Sequence, residues 1–497
     1  MPTEYVLSAL AAAEAEFTER YPRFDPDGSA AALRAGEYRR LDEQDQVYLD
    51  YTGGGLHAAS QIEAHARLLS SQVLGNPHSN NPTSLATTEL VQQARAAVLD
   101  FFHADPAEYL CIFTANASAA LRLVGEAYRF EPGSRFVLTA DNHNSVNGIR
   151  EFARAKGAEV RYVPVVAPDL RLDTEAMREA LATGDRSRPK LLAFPAQSNF
   201  SGVQHPLELI EQAQAGGWDV LLDAAAFVPT NRLDLSSVKP DFVSLSFYKM
   251  FGFPTGIGAL LLRRARFGAL ARPWFAGGTI TIASVLGNGH YLHTDEAAFE
   301  DGTVDYLNLP AVTVGLHHLQ TLGLDAVHER VVDLTGWLLE ALTGLQHGNA
   351  APVVHVHGPR DCDRRGGTIT FSMLDPDGHP VDDRRVEELA NRVNISLRTG
   401  CFCNPGAGEV AHGLNGEQMR VWFGRGEPVS FLQLREELLA EHGRLVAAVR
   451  ISVGLATNFT DVYRFLCFMQ GFVDKSVDEI GRPEFTSDNC RITRDSA

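Results

Sequence analysis

Seven short apolar runs are spaced along the middle of the chain, at residues 110–114, 136–139, 160–166, 191–195, 220–223, 242–247 and 257–262. They are rich in β-branched and aromatic residues and nearly free of charge, which predicts strands buried on both faces. Stretches with the helical period separate most of them, at 117–130, 146–156, 174–182 and 207–215. This alternation predicts an α/β fold, with a mainly parallel seven-stranded sheet in a large domain and helices on both of its faces.

An amphipathic pattern over residues 1–17 predicts an N-terminal helix. A short strand at 47–50 runs into Thr52-Gly53-Gly54-Gly55, where backbone can come close to a ligand. A polar, turn-rich loop at 75–84 leads to a helix at 85–102. Beyond about residue 310 the texture changes. Helical patterns at 311–322 and 324–345 precede strand-like segments at 353–356 and 368–372, a helix at 382–393, strands at 395–397 and 449–452, and a last helix at 460–473. That is the pattern of a smaller α+β domain. The expected division is a helical segment (1–46), a large domain (47–310), a small C-terminal domain (311–473) and a polar, loosely held tail (474–497).

Composition narrows the function. The 497 residues are 45% hydrophobic and 21% charged, as in a soluble globular protein. Forty-four basic against 62 acidic side chains give a formal charge of −18, with no long basic cluster. Nucleic acid and anionic membrane are therefore poor partners. No apolar run reaches transmembrane length, and the first residues lack the basic start of a secretory signal. Six mostly isolated cysteines suit a reducing compartment, so a cytoplasmic location is expected.

The candidate chemistry falls at the carboxyl ends of the predicted strands, where such sheets bind ligands. Lys249 follows the run 242–247, and a lysine held against apolar surface is a potential nucleophile. Asp223 ends the run 220–223; it suits a protonated ring nitrogen, or caps a helix. Ser118 begins a helix and, with Ser246, could hold an anion. His143 follows the run 136–139 and could stack on a flat ring or move protons, unless it merely faces solvent. Asn199 could bond a phenolic oxygen of that ring. Cys401 and Cys403 lie in a loop of Gly, Asn and Pro with Arg398 nearby, the setting of an activated thiol. Arg450 could clamp a carboxylate. Zinc would need further paired ligands, and the solitary cysteines supply none. His355 and His357 share a strand face, but no third ligand stands at a telling spacing, so no metal is assigned.

The segments YLDYTGGGL, GNPHSNNPTS, FTANASAAL, DNHNSV, PAQSNFSGV, LLDAAAFVPT, SFYKMFGFPTGIGALLLRR, FEDGT, LRTGCFCNPG and VRISVGLATNFTDV run in order from about residue 47 to 473. Together they resemble the class V aminotransferase family of fold-type I pyridoxal-phosphate enzymes. Within it, the chain is similar to cysteine desulfurases, above all to the N-terminal desulfurase domain of molybdenum cofactor sulfurases. The resemblance implies pyridoxal 5′-phosphate as cofactor, held by Lys249 as a Schiff base. It further implies Asp223 on the ring nitrogen, His143 on the ring face, and Ala117, Ser118 and Ser246 on the phosphate. Asn199 and Tyr248 complete the cofactor set. Thr303 would reach the phosphate of a neighbouring subunit, implying a homodimer with shared sites. Arg450, with Arg398 and His78, would bind the amino-acid substrate, L-cysteine. Cys403 would accept its sulfur as a persulfide, with L-alanine released; whether Cys401 shares that work stays open, and the acceptor would be molybdenum cofactor or a biosynthetic intermediate.

Three positions depart from common desulfurases: Tyr248 replaces a histidine, Ala226 a glutamine and Asn116 a phosphate-turn glycine. The first two resemble the molybdenum cofactor sulfurase branch; the third leaves the phosphate turn unsettled. Two alternatives stay open. One is another class V reaction, such as a carbon–sulfur lyase, epimerase or aminotransferase. The other is a non-catalytic scaffold.

Overall fold

The seven apolar runs form one sheet. In the computed structural model its strands are β2 (Tyr109–Thr114), β3 (Arg135–Thr139), β4 (Glu159–Val163), β5 (Lys190–Pro195), β6 (Asp219–Asp223), β7 (Phe242–Ser246) and β8 (Gly258–Arg263), with a short β1 (Val47–Tyr48) outside it. Their order is β2-β8-β7-β6-β5-β3-β4. All run the same way except β8, which is antiparallel to both neighbours. The structure describes residues 4–493 apart from 25–27, 186, 272–274, 415, 427–429, 443–445, 485 and 489–490. Part of the N-terminal helix pattern, the end of the tail and Cys490 thus lie outside the described residues.

Strand side chains alternate between faces, and both faces are apolar. Cys111, Phe113, Leu192, Phe194, Val220, Leu222, Val243 and Leu245 pack into one core. Their neighbours Leu110, Ile112, Leu191, Ala193, Leu221 and Phe242 pack into another on the opposite face. A sheet covered on both sides explains why the runs carry no polar alternation.

A second, four-stranded antiparallel sheet follows in the chain: β11 (Val354–His357), β12 (Thr368–Met373), β13 (Arg398–Gly400) and β14 (Ala448–Ser452), in the order β11-β12-β14-β13. Between the sheets lies an exposed hairpin, β9 (Ile280–Ser284) with β10 (Gly289–Leu292). The helices of residues 7–43 dock on the C-terminal part. Phe17 stacks on Phe459, and the Tyr463 hydroxyl donates to the Val6 carbonyl at 2.9 Å.

Several expected boundaries move for local reasons. The run 160–166 breaks at Pro164, which has no N–H to give, and Val165–Val166 pairs instead with Arg171–Leu172. The helix expected from residue 85 starts at Pro82, because Asn81 caps it by accepting from Ser84 N–H at 3.0 Å. The helix 146–156 is interrupted at Gly148. Phe247 leaves the strand and opens the helix Phe247–Phe251, so Lys249 sits on a helical turn. Pattern reading missed the hairpin and the helices Pro405–Ala411, Gly416–Phe423 and Phe431–His442. The tail, expected to be loose, carries the helix Val477–Ile480 under a Ser476 capping box.

Candidate active site

The parallel strands end along one edge, and the site is built there. β2 ends two residues before Asn116, β3 four before His143, β5 four before Asn199 and β7 three before Lys249, while Asp223 is the last residue of β6. Lys249 opens onto a small cavity with Tyr51, Thr52, Gln197, Ala225, Ala226 and Thr368. Burial lowers its ammonium pKa, against the opposing pull of Asp223, and Arg450 and Arg398 push the same way as burial. A neutral amine is thus more accessible here than in water. Gly55 packs against the backbone of the lysine's helix. Its N–H donates to the Tyr248 carbonyl at 3.0 Å, and a Cβ there would come within 2.8 Å of the Lys249 carbonyl. The glycines let the chain pack against the lysine's own helix.

Asp223 is buried, and its fixed bonds fall on one oxygen. Oδ1 accepts from Ser244 Oγ at 2.9 Å and from Ala225 N at 3.1 Å, leaving Oδ2 for a cation. His143 is held below the ordinary imidazole range by burial, opposed by Asp223 and reinforced by Lys249 and Arg450. Its Nδ1 accepts from Ser145 N–H at 3.1 Å, which puts any proton of the neutral ring on Nε2.

An anion cup stands beside them. Asn116 caps the helix Ala117–Ala127 by accepting from Ala119 N–H at 2.9 Å, and its φ of −176° is ordinary extended backbone. The missing glycine therefore costs no strain at this turn. Ser118 and Ser145 share a 2.6 Å hydrogen bond, and Ala117 N–H donates to Ser246 Oγ at 3.0 Å. Three hydroxyls and a helix N-terminus thus converge. Thr303 lies on the wall of a cavity of about 620 Å³ with Thr114, Ala119, Arg122 and Leu123.

The cysteine loop joins this edge by its backbone. The Cys403 carbonyl accepts from Asn144 N–H at 2.7 Å, one residue from His143. Asn199 donates to the Phe402 carbonyl at 2.8 Å, and Asn404 donates to the Asp141 carbonyl at 2.7 Å and to Asn199 Oδ1 at 2.9 Å. Asn199, expected on a ring oxygen, here spends its amide on the loop. Phe402 is buried, whereas Cys403 is exposed and Cys401 half-buried. The guanidinium of Arg450 lies 4.7 Å over the Phe402 ring and interacts with Cys403. Arg398, expected beside the thiol, is turned to Asp50, where its Nη2 donates at 2.6 Å. Tyr248 is half-buried over Gly54, near Asp50 and Arg398. His78 stays on an exposed loop, its backbone N–H on Asn76 Oδ1 at 3.1 Å.

The histidine pair on β11 does gain a third ring. His412 ends the helix that follows Cys403, and both His355 and His412 place their centroids 5.0 Å from His357. Sequence spacing hid this contact. The ring nitrogens do not converge as a ligand set; among the described residues only Asp375, Asp377 and His379 do. Other residues that spacing missed are Ser145, Ser244, Asn404 and Asp50, whose partners are separated from them by up to 400 residues in sequence.

The chain belongs to the class V aminotransferase family, whose model (Aminotransferase class-V) matches residues 47–465. Its relatives include molybdenum cofactor sulfurases. It is 38% identical over 464 residues to that of Homo sapiens, covering 89% of this chain and 51% of the relative. It is 36% identical over 490 residues to that of Solanum lycopersicum, covering 92% and 58%. The chain thus spans about half the length of these curated relatives. In fold it is similar to a cysteine desulfurase from Thermococcus onnurineus NA1, with a TM-score of 0.72 at 23% identity, covering 89% of this chain and 98% of that one. A cysteine desulfurase from Escherichia coli gives 0.69 at 20% identity, covering 89% and 98%.

Proposed function

We propose that this chain is a pyridoxal 5′-phosphate-dependent cysteine desulfurase. It converts L-cysteine to L-alanine and passes the sulfur, carried as a persulfide on Cys403, to an acceptor. The observation that carries this reading is one edge of one sheet. There Lys249, Asp223, His143 and the anion cup meet Arg450 and the Cys403 loop. The name shared by the relatives supports molybdenum cofactor as the acceptor.

The residues fit the cofactor. Lys249 would hold its aldehyde carbon, Asp223 Oδ2 its protonated ring nitrogen and the Ala117–Ser118 turn with Ser246 its phosphate, with His143 and Tyr248 beside the ring. When bound, the cofactor supplies an electron sink that acidifies Cα–H of an amino acid and weakens its Cβ–S bond. The chain's own groups do the rest. Lys249 Nζ, made less basic by burial, takes and returns the Cα proton. Arg450 orients the substrate carboxylate. The Cys403 thiolate forms an S–S bond to the substrate sulfur as the C–S bond breaks. The electron pair of that bond stays with the carbon skeleton, which gains protons and leaves as alanine.

The division into 1–46, 47–310, 311–473 and 474–497 is kept as a proposal: a helical segment, a cofactor domain, a domain bearing the cysteine loop, and a tail. A homodimer is proposed, with Thr303 serving the partner subunit's phosphate site. The exposed apolar side chains of Val285, Leu286 and Tyr291 on the β9–β10 hairpin support it. Among the described residues no helix is long and apolar enough to cross a membrane. A cytoplasmic location is proposed from the cysteine usage.

The experiment is Cys403→Ser. Alanine release from L-cysteine should stop while the absorption band of the bound cofactor is unchanged. Release of pyruvate and sulfide instead would favour the carbon–sulfur lyase reading, and full alanine release by the variant would remove Cys403 as the sulfur carrier.

A further inference from the structure

Arg398 and Arg450 stand directly opposite one another, as Cα partners on β13 and β14. Two guanidiniums placed so repel unless an anion lies between them. That anion is Asp50, brought in from the other end of the chain. Just after β1, Leu49 takes the Ser452 N–H at 2.7 Å and gives its own to the Ser396 carbonyl at 2.9 Å, which wedges Asp50 against the strand ends. Arg398 meets the carboxylate with Nε at 2.9 Å and Nη2 at 2.6 Å, and Arg450 with Nη2 at 3.1 Å. Gly53 keeps the space open, since a Cβ there would fall 2.5 Å from Asp50 Oδ2 and 2.6 Å from Arg398 Nη2.

Arg450 is held but not used up. It is buried, with Nη1 on the Asn199 carbonyl at 3.0 Å and Nη2 on Asp50, while its Nε–H is buried with no partner. A guanidinium offers five N–H groups in a rigid plane. Two fixed bonds set the tilt of that plane, and the unpaired Nε–H, costly when buried, awaits an acceptor. Two arginines and one aspartate sum to one positive charge, which one carboxylate neutralises.

We infer that Asp50 is a positioning residue of the carboxylate clamp. It fixes the angle of Arg450 and keeps the site at the single positive charge that selects a substrate with one carboxylate. This inference rests on the proposed amino-acid chemistry. Electrostatics supports it: burial pulls the Arg450 pKa down to about 10, and the largest opposing effect is Asp50. The other titratable or charged groups that face Arg450 are Arg398, Cys403, Tyr48, Lys249 and His143.

The test is Asp50→Asn in the holoenzyme, a change of the same shape that removes the charge and one of the two acceptor oxygens. KM for L-cysteine is expected to rise about 10-fold, with a smaller change in kcat. Inhibition by cysteamine, which has the amine and thiol but no carboxylate, should stay within about 2-fold. The alkaline rise in KM should begin at lower pH, because Arg450 then loses its proton more readily. The cofactor band is titrated in parallel, because Asp50 also acts on Lys249. An alkaline limb that moves only with that band belongs to the lysine and counts against the inference. An unchanged KM, or cysteamine inhibition weakened as much as L-cysteine binding, overturns it. If Asp50→Asn does not fold, Gly53→Ala crowds the same pair with its charges intact and should give the same selective loss. If the wild type releases no alanine, the desulfurase reading falls. The clamp is then read from L-alanine binding followed on the cofactor band, with a rise of about 10-fold in Kd expected in Asp50→Asn.

Discussion

Asp223 shows how a single side chain is prepared for its work. Its Oδ1 is pinned by Ser244 and Ala225, so its Oδ2 is aimed without an entropic cost at the moment of binding. Asp223→Asn keeps the shape and loses the charge. Turnover should fall about 100-fold or more while cofactor remains bound through Lys249, measured as kcat beside the cofactor band. Unchanged turnover would remove Asp223 from the ring nitrogen. Asp223, Lys249 and His143 were legible in the chain because each ends or follows an apolar run, and Cys403 because its loop is rich in Gly, Asn and Pro. Asp50 was not legible as a partner. It sits two residues beyond a two-residue strand, and its arginines lie 348 and 400 residues away. Local pattern carries no information over that distance. Asn199 was legible as a site residue, but the structure gives its amide to the cysteine loop.

At the level of elements, β11 and the helix Pro405–Ala411 meet through His357 and His412, behind the cysteine loop. Burial and the neighbouring imidazoles lower the pKa of His357 to about 2, and that of His412 to about 4, from an ordinary value of 6.5. The unfolded chain therefore binds protons that the folded chain refuses. The stability these rings confer is whole above about pH 6.5, and is lost on acidification through about pH 4 for His412 and on toward pH 2 for His357. Each contributes a slope approaching about 1.4 kcal/mol per pH unit within its window. His357→Gln should flatten the acid limb of stability between pH 6 and 4, read from denaturant midpoints. An unaltered limb would place the sensitivity elsewhere. Periodicity found the elements whose apolar pattern is continuous. It missed the β9–β10 hairpin, whose apolar side chains face outward rather than into a core, and the helices after Cys403, whose pattern is short and mixed.

For the whole molecule, one sheet end gathers residues from both ends of the chain into one site. The tip of the β9–β10 hairpin is open to solvent, with Val285 97% exposed and Leu286 fully so. Their exposure supports the proposed subunit contact. Changing both to aspartate is expected to convert the dimer to monomer, seen by light scattering after gel filtration, and to lower cofactor retention if Thr303 serves the partner's site. A wild type already monomeric at micromolar concentration would contradict the proposed dimer. The fate of the substrate sulfur decides between the possible reactions. The direct measurement is mass spectrometry of the holoenzyme after brief exposure to L-cysteine, with peptides mapped across the loop. One added sulfur atom on Cys403, formed in step with alanine, is the expected result. A loop that carries no added sulfur while alanine accumulates, or sulfur found only on Cys401, would contradict it.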